Sequence, residues 1–295
     1  MTASTNATGQ LPASKGLLRP EEFARLVRFG EVVPSGPTAE WVERVWSTAW
    51  DLPAGVTRTT SLIPHPSIDL TAERGGLARA GGRGDGVWLT GVVTTRFDVA
   101  LTGSGGAAGI KFHPGGFTAW CGVSAARLTD RVLPAASLLA GAEALRELPA
   151  DAHAAAPALL DFVEARAADA EPVPARLRQA LALVQRPAVT RVDDLAEHCG
   201  CSIRSLQRLL RRYVGVGPKW LIRRQRMHDA VAALDAGTTE TLAELATRLG
   251  WYDQSQFARD FTRLVGVSPA SYRDRSCATA EPPRRPSAIG SERNR

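Results

Sequence analysis

The C-terminal part of the chain carries apolar residues at helical spacing, in a pattern that occurs twice. The two copies are GCSIRSLQRLLRRY (200–213) and GWYDQSQFARDFTRL (250–264), and they align with an offset of 50 to 51 residues. In both, a polar residue lies two or three positions after a glycine, and apolar residues three and four apart follow it, which is the spacing of one helix face. The pattern predicts two copies of one short helical unit.

Each copy predicts two helices around a tight turn. Gly200 and Gly250 can take the left-handed conformation that a chain reversal needs. Ser202 and Asp253 are good N-caps for the helix that follows each turn. In the second copy Thr241 and Glu244 have the spacing of a capping box at the start of the first helix. This is the arrangement of a helix-turn-helix.

The stretch PKWLIRRQRMHDAVAALDAG (218–237) separates the two copies. It predicts a linking helix of about 17 residues, which would be about 25 Å long. Successive major grooves on one side of a DNA duplex repeat at about 34 Å. One chain could therefore engage two adjacent grooves.

The second helix of each unit has an apolar and a polar face. The apolar faces hold Leu206, Leu209, Leu210 and Tyr213 in the first copy and Phe257, Phe261 and Leu264 in the second, with Asp260 beside the latter. The opposite face is cationic in the first copy and contains no acidic residue, which argues against a merely solvated helix. Arginine and glutamine on such a face can pair with guanine and adenine edges. We expect phosphate contacts from Arg211, Arg212, Lys219 and Arg263.

The run ATRLGWYDQSQFARDF (246–261), followed by GVSPASYR (266–273), resembles the signature of the DNA-binding domain of AraC/XylS-family transcriptional regulators. The resemblance covers residues 192–273 and implies two helix-turn-helix subdomains on a shared helix. It implies base contacts by Arg204, Gln207, Arg208, Ser255 and Arg259. We call the second helix of each unit its reading helix. Two features depart from the pattern: Cys199 and Cys201 lie at the first turn, and the reading helix of the second unit has fewer basic groups. The two half-sites are therefore expected to be read with unequal strength.

The front half predicts an antiparallel sheet or a small barrel. Its short segments with β-branched residues, separated by Gly-rich turns, lie near 58–63, 67–73, 86–102 and 107–113. By contrast, EWVERVWSTAW (40–50) predicts a helix with Trp41 and Trp46 on its apolar side, and GSGGAAG (103–109) predicts a hairpin loop. LIPHPSIDL (62–70), AAGIKFHPGGFTAW (107–120) and RLTDRVLP (127–134) resemble an N-terminal domain attached to some AraC-like regulators. That resemblance implies an effector-sensing or dimerising domain.

Charge divides the chain into two unlike parts. Residues 1–170 carry 15 Lys and Arg against 17 Asp and Glu, whereas residues 171–295 carry 21 against 13. All of the net charge of +6 therefore comes from the C-terminal part. A basic part joined to a near-neutral part is typical of a polyanion-binding module attached to another domain.

These observations predict an α+β protein: a small antiparallel β-sheet or barrel domain with flanking helices, then an all-α domain of two helix-turn-helix units on a linking helix. Pro172 and Pro174 mark the linker. The expected boundaries are disordered ends at 1–20 and 276–295, a sensor or dimerisation domain at 21–170, a linker with a first helix at 171–188, and the double helix-turn-helix domain at 189–275.

The expected function is that of a sequence-specific regulator of transcription, an effector-responsive activator of AraC/XylS type, and not an enzyme. Its expected partners are double-stranded DNA, RNA polymerase and a small-molecule effector, with no cofactor and no membrane, as a monomer or homodimer. The chain start lacks the basic and apolar regions of a secretory signal, and the four cysteines fit a reducing compartment. We therefore expect a cytoplasmic protein.

Two alternatives stay open at this point. His65 and His113 could bind a metal with Asp69, Glu73 or Cys121 in a metalloenzyme, although no short ligand spacing supports this. Cys199 and Cys201 bracket Gly200 and could act as a redox switch that tilts the first reading helix, although a disulfide between them would be strained.

Overall fold

A computed structural model of the chain describes residues 16, 18, 20–80 and 82–280. An antiparallel sheet is followed by helices, which confirms the predicted α+β class. The strands are β1 (Val27–Val32), β2 (Val42–Asp51), β3 (Thr57–Leu62), β4 (Asp69–Arg79), β5 (Gly82–Arg83), β6 (Gly86–Thr90), β7 (Phe97–Phe112) and β8 (Val132–Pro134). The helices are α1 (Pro20–Leu26), α2 (Gly116–Cys121), α3 (Ala152–Glu164), α4 (Ala175–Val184), α5 (Val192–His198), α6 (Ile203–Tyr213), α7 (Pro218–Asp235), α8 (Leu242–Arg248), α9 (Gln254–Val265) and α10 (Pro269–Ala280).

The long strand β7 organises the sheet. The strand order is β1-β2-β7-β4-β6-β8, while β3 pairs with the first part of β7 and β5 with the end of β4. Along the central strands, alternate residues such as Leu70, Leu89 and Ile110 are fully buried. This period of two places them on one face of the sheet, where they share a core with residues of α3 such as Leu159.

The prediction of a helix at 40–50 is wrong, because this stretch forms β2. The register of β2 against β7 shifts between Val42 and Arg44. Such a bulge adds one residue to a strand. Val42 and Val45, three residues apart, are therefore both buried, and the sequence imitates helical spacing.

The prediction of a hairpin loop at 103–109 is also wrong, because these residues continue β7. The glycines permit close approach of neighbouring strands and side chains. A Cβ on Gly105 would lie 2.3 Å from Cζ2 of Trp50, and one on Gly109 would lie 2.4 Å from the carbonyl oxygen of Leu70. Residues 105 and 109 therefore lie within a strand, and they must be glycine because Trp50 and Leu70 leave no room for a Cβ.

The helical part matches the predicted caps and turns. The side chain of Ser202 accepts a hydrogen bond from the amide of Ser205, and Asp253 does the same for Gln256. Thr241 forms the capping box at the start of α8. Gly200 and Gly250 have φ angles of 58° and 81°, in the left-handed region. Local chemistry thus determines where these helices begin and where the chain turns.

Helix α7 is shared by two hydrophobic cores. The larger core joins the sheet, α3 to α6 and the first half of α7, including Leu221 and Ile222. The smaller core joins the second half of α7 to α8, α9 and α10. Consequently the first helix-turn-helix unit shares its core with the front domain, and the second unit has a core largely of its own.

Both chain ends extend beyond the described residues. Leu18 is buried, and its amide donates to the carbonyl of Ser61 (3.0 Å). Helix α10 continues to Ala280, into the segment that composition predicts to be disordered. The remainder of the predicted disordered ends, 1–15 and 281–295 together with residues 17 and 19, lies outside the described residues.

Candidate nucleic-acid interface

Helix α6 separates its apolar and cationic faces. Leu206, Leu210 and Tyr213 are buried and Leu209 is half-buried, which leaves the opposite face in solvent. All nine predicted contact residues of the two units are exposed: Arg204, Gln207, Arg208, Arg211, Arg212, Lys219, Ser255, Arg259 and Arg263. None of these nine side chains is buried in a hydrophobic core.

A cationic groove runs beside α6. Its volume is about 690 Å³, and its walls come from α6 and the first residues of α5 and α7. The lining includes Arg204, Gln207, Arg208, Arg211 and Lys219, with the acidic Asp193 also present. The groove therefore gathers several of the predicted base-contacting and phosphate-contacting residues of the first unit. The positive end of the α7 dipole adds to their charge.

The second unit exposes less positive charge. Phe257 and Phe261 bury one face of α9, and Ser255 and Arg259 lie on the exposed face. The carboxylate of Asp260 accepts hydrogen bonds from Arg223 (2.7 Å), Arg263 (3.0 Å) and Nε1 of Trp251 (3.2 Å). Arg263, a predicted phosphate contact, is thus partly neutralised.

Two exposed apolar side chains beside the reading helices were not singled out by the sequence pattern. Tyr252, in the turn before α9, is 93% exposed, and Ile203, the first residue of α6, is 39% exposed. The second turn is one residue longer than the first, because Cys201 and Trp251 make equivalent backbone hydrogen bonds while the N-caps Ser202 and Asp253 lie 51 positions apart. Tyr252 is that extra residue, and an aromatic insertion in a turn is the signal that indicates it. Helical periodicity does not extend to turn residues.

Two models of known protein families match the chain, one in its C-terminal part and one in its front half. A family model described as a helix-turn-helix domain matches residues 195–275. Residues 195–275 form a helix-turn-helix domain of the AraC type. A second model, described as a domain of unknown function (DUF6597), matches residues 30–134.

The AraC-type domain also matches curated relatives. The HTH-type transcriptional activator AarP of Providencia stuartii is 33% identical over 82 residues, which are 28% of this chain and 60% of AarP. The HTH-type transcriptional activator RhaR of Yersinia pseudotuberculosis is 32% identical over 85 residues, 28% of this chain and 29% of RhaR. The chain thus spans less than two thirds of each relative's length.

Solved structures give a similar match. The C-terminal domain of AraT, a response regulator from Geobacillus stearothermophilus, is 26% identical, with a TM-score of 0.32. The match covers 35% of this chain and 86% of that domain.

The front domain caps the end of the first reading helix. The hydroxyl of Thr118 donates to the carbonyls of Arg212 and Tyr213 (3.3 Å each), and Thr129 donates to that of Gly215 (2.8 Å). The last carbonyls of a helix have no partner within it. The front domain therefore completes the C-terminal end of α6 while leaving its N-terminal part exposed.

A buried arginine makes a second contact between the front domain and the AraC-type domain. Arg224 on α7 donates to the carbonyl of Thr94 (2.7 Å) and lies over the ring of Trp220 (4.5 Å). Its burial lowers the pKa of the guanidinium to about 10, and the charge of Asp130 opposes that shift. The buried guanidinium of Arg224 is therefore held by a carbonyl of the front domain and by an aromatic ring of the AraC-type domain.

The histidines and acids considered as metal ligands have other contacts. His65 stacks on His228 with ring centroids 4.4 Å apart, and burial lowers the pKa of His228 to about 2. Asp69 accepts a hydrogen bond from Trp46 (3.2 Å), and Glu73 pairs with Arg79. In residues 16, 18, 20–80 and 82–280, no group of three or more His, Cys, Asp or Glu could hold a metal ion.

The two cysteines at the first turn differ in exposure. Cys199 is buried, and burial raises the pKa of its thiol, while Cys201 is half-buried. A raised pKa lowers the fraction of reactive thiolate. This environment does not favour Cys199 as a redox sensor.

Asp69 gives a pH-dependent stability that can be measured. Burial raises its pKa from 3.8 to about 6 and nearby Glu43 adds to the shift, against the lowering effects of Lys111, Trp46 and Arg44. The unfolded chain therefore releases this proton more readily, and stability is lost as pH rises from about 4 to about 6. We expect Asp69→Asn to be more stable than the parent by up to about 3 kcal/mol at pH 7.5.

Chemical denaturation at two pH values tests this expectation. At pH 3.5 both folded and unfolded carboxyl groups are largely protonated, so the two proteins should have nearly equal stability. An equal stability difference at both pH values would rule out the ionisation of Asp69 as its origin.

Proposed function

We propose that the protein is a sequence-specific DNA-binding regulator of transcription with a non-enzymatic mechanism. The observation that carries the proposal is the exposed Arg and Gln face of α6, beside a cationic groove of an AraC-type domain. Cationic contacts to phosphates would supply salt-dependent affinity, and contacts to base edges would supply sequence choice. The proposed base contacts are Arg204, Gln207, Arg208, Ser255 and Arg259, and the proposed phosphate contacts are Arg211, Arg212, Lys219 and Arg263.

The two units would enter adjacent major grooves. Helix α7 has 18 residues, or about 27 Å of helix. With the flanking helices this length suits grooves that repeat at about 34 Å. The first unit would contribute more of the electrostatic affinity, because Asp260 partly neutralises Arg263 in the second.

Selection of bound fragments from genomic DNA tests the proposal directly. The full chain would be incubated with sheared DNA at physiological salt, and the recovered fragments would be sequenced and remeasured individually. We expect a shared bipartite motif. Recovery of fragments without a common motif would contradict sequence-specific reading.

Arg208 and Lys219 provide a matched pair of variants. We expect Arg208→Ala to weaken binding to the selected site by about 1–3 kcal/mol and to relax preference at one base position. Lys219→Ala should weaken binding to all sequences alike and reduce the slope of affinity against salt by about one. Fluorescence anisotropy with a panel of single-base substitutions measures both. Equal losses on every sequence for both variants would contradict base reading by Arg208.

For the front domain we propose a sensing or dimerising role over about residues 21–170, with residues 171–188 as linker and 189–275 as the DNA-binding domain. Two buried donors in its sheet, Nη2 of Arg79 and Nε1 of Trp88, have no hydrogen-bond partner among the described residues, which supports binding of a small-molecule effector. An effector changes DNA binding only if it prefers one arrangement of the domains. The contacts of Thr118, Thr129 and Arg224 would transmit that preference.

The regulatory output we propose is activation, with RNA polymerase as a partner. Support comes from AarP and RhaR, which are transcriptional activators matched over the DNA-binding domain. Among the described helices none is long and apolar enough to span a membrane. We propose that the protein acts in the cytoplasm, as a monomer or homodimer.

A further inference from the structure

One side chain of the linking helix touches both helix-turn-helix units. Arg226, near the middle of α7, donates from Nη1 to the carbonyl of Gly250 (2.8 Å) and from Nη2 to the carbonyl of Thr190 (2.5 Å). Thr190 lies two residues before α5, at the start of the first unit. Gly250 is the turn between α8 and α9 in the second unit. A single planar guanidinium thus connects the two units through backbone atoms.

The three segments meet too closely for this to be a loose surface contact. A Cβ on Gly250 would lie 3.1 Å from Cζ of Arg226 and 3.3 Å from Cγ2 of Thr190. Burial lowers the pKa of Arg226, and the charge of Arg223 adds to this. Because arginine has a rigid fork of donors, its two bonds fix both distance and direction between the carbonyls.

A second arginine on the same helix fixes the following reading helix. Arg223, three residues earlier, makes two hydrogen bonds to the carboxylate of Asp260 on α9 (2.9 and 2.7 Å). Asp260 in turn holds the indole of Trp251 beside the turn. Hence α7 orients α9 through Arg223 and locates its turn relative to the first unit through Arg226.

We propose that Arg226 is a positioning residue that sets the separation and rotation between the two reading helices, and thereby the spacing of half-sites that the protein accepts. This inference rests on the proposed DNA-binding function. One base pair inserted between half-sites changes their separation by about 3.4 Å and their rotation by about 35°. A rigid pair of units cannot follow such a change, whereas a loosened pair follows it at lower cost.

The test compares binding of the full chain to the selected duplex and to duplexes with one base pair added or removed between the half-sites. We expect the parent protein to lose about tenfold or more in affinity on the altered spacings. Arg226→Met removes both hydrogen bonds, so the ratio between native and altered spacing should fall to about threefold or less. Arg226→Lys retains a charge but has no planar fork, and its ratio should lie between the two.

Each alternative gives a distinct result. Arg58→Met, on the exposed strand β3, is the matched control and should keep the parental spacing ratio. If Arg226 only stabilises the fold, its variants will lower affinity by the same factor at every spacing and on a single half-site. That outcome overturns the positioning role while leaving the proposed function intact. A parent protein that binds no duplex selectively would overturn the proposed function itself, and this inference with it.

Arg226→Gln keeps the experiment decisive if the methionine variant does not fold. Its amide reaches less far than a guanidinium and has one nitrogen in place of the two that contact the carbonyls of Gly250 and Thr190, so it should not hold both carbonyls in the parental geometry. Affinity for a single half-site of the first unit should stay within about twofold of the parent, because α6 itself is not altered. A loss on the single half-site as large as the loss on the bipartite site would overturn the proposal.

Discussion

Phe261→Ala is expected to lower the free energy of unfolding by about 3–5 kcal/mol. Phe261 is fully buried in the core of the second helix-turn-helix unit. Its ring packs edge-on against Phe257 and Tyr272, with centroids 5.6 Å apart in each pair. Truncation therefore leaves a cavity and removes two aromatic contacts. Urea denaturation followed by circular dichroism measures the loss.

Tyr252→Ala is the matched control for this variant. Tyr252 is an aromatic residue of the same unit, but it is 93% exposed, so its removal should change stability by no more than about 0.5 kcal/mol. The second unit has a core largely of its own. In Phe261→Ala the second unit should therefore unfold at a lower urea concentration than the sheet. A change below about 1 kcal/mol for Phe261→Ala would contradict the packing described for α9.

The helix-turn-helix units could be predicted from sequence because short-range signals determine them. Ser202, Thr241 and Asp253 cap helices whose amides lie within three residues, and Gly200 and Gly250 supply the turns. Every such signal is contained in a few consecutive residues. The exposure of the reading faces follows from helical periodicity alone.

The front domain was less predictable because distant residues decide its local structure. Val42 and Val45 imitate helical spacing, and only pairing of β2 with β1 and β7 makes the segment a strand. Likewise Gly105 belongs to a strand because it pairs with β2 and β4, and it must be glycine because Trp50 occupies the space that a Cβ would need. Neither fact is present in a short window of sequence.

Contacts between parts of the chain were also outside the reach of the sequence pattern. Arg226 reaches Thr190 and Gly250, residues 36 and 24 positions away, and Arg224 reaches Thr94 across 130 positions. In the sequence the arginines of α7 look like ordinary cationic residues on a helix. The positioning of the two reading units is therefore a property of the tertiary structure.

A buried ion pair in the front sheet gives the second large effect. The side chains of Glu73 and Arg79 are 5% and 3% exposed, and they pair directly. The hydroxyl of Thr71 donates to the same carboxylate (2.6 Å). Glu73→Ala leaves the guanidinium buried without its partner, and we expect stability to fall by about 3–5 kcal/mol.

The double variant Glu73→Leu, Arg79→Met separates the value of the pair from the cost of breaking it. Replacing both charges by apolar side chains removes the desolvation penalty with the attraction, so its stability should lie close to that of the parent. The exposed pair of Arg191 and Asp193, with side chains 72% and 62% exposed, is the control, and Asp193→Ala should cost no more than about 1 kcal/mol. If Glu73→Ala costs as little as Asp193→Ala, the pair must be hydrated in solution. The sheet would then be open at this point, and Arg79 would not be the buried donor invoked for an effector.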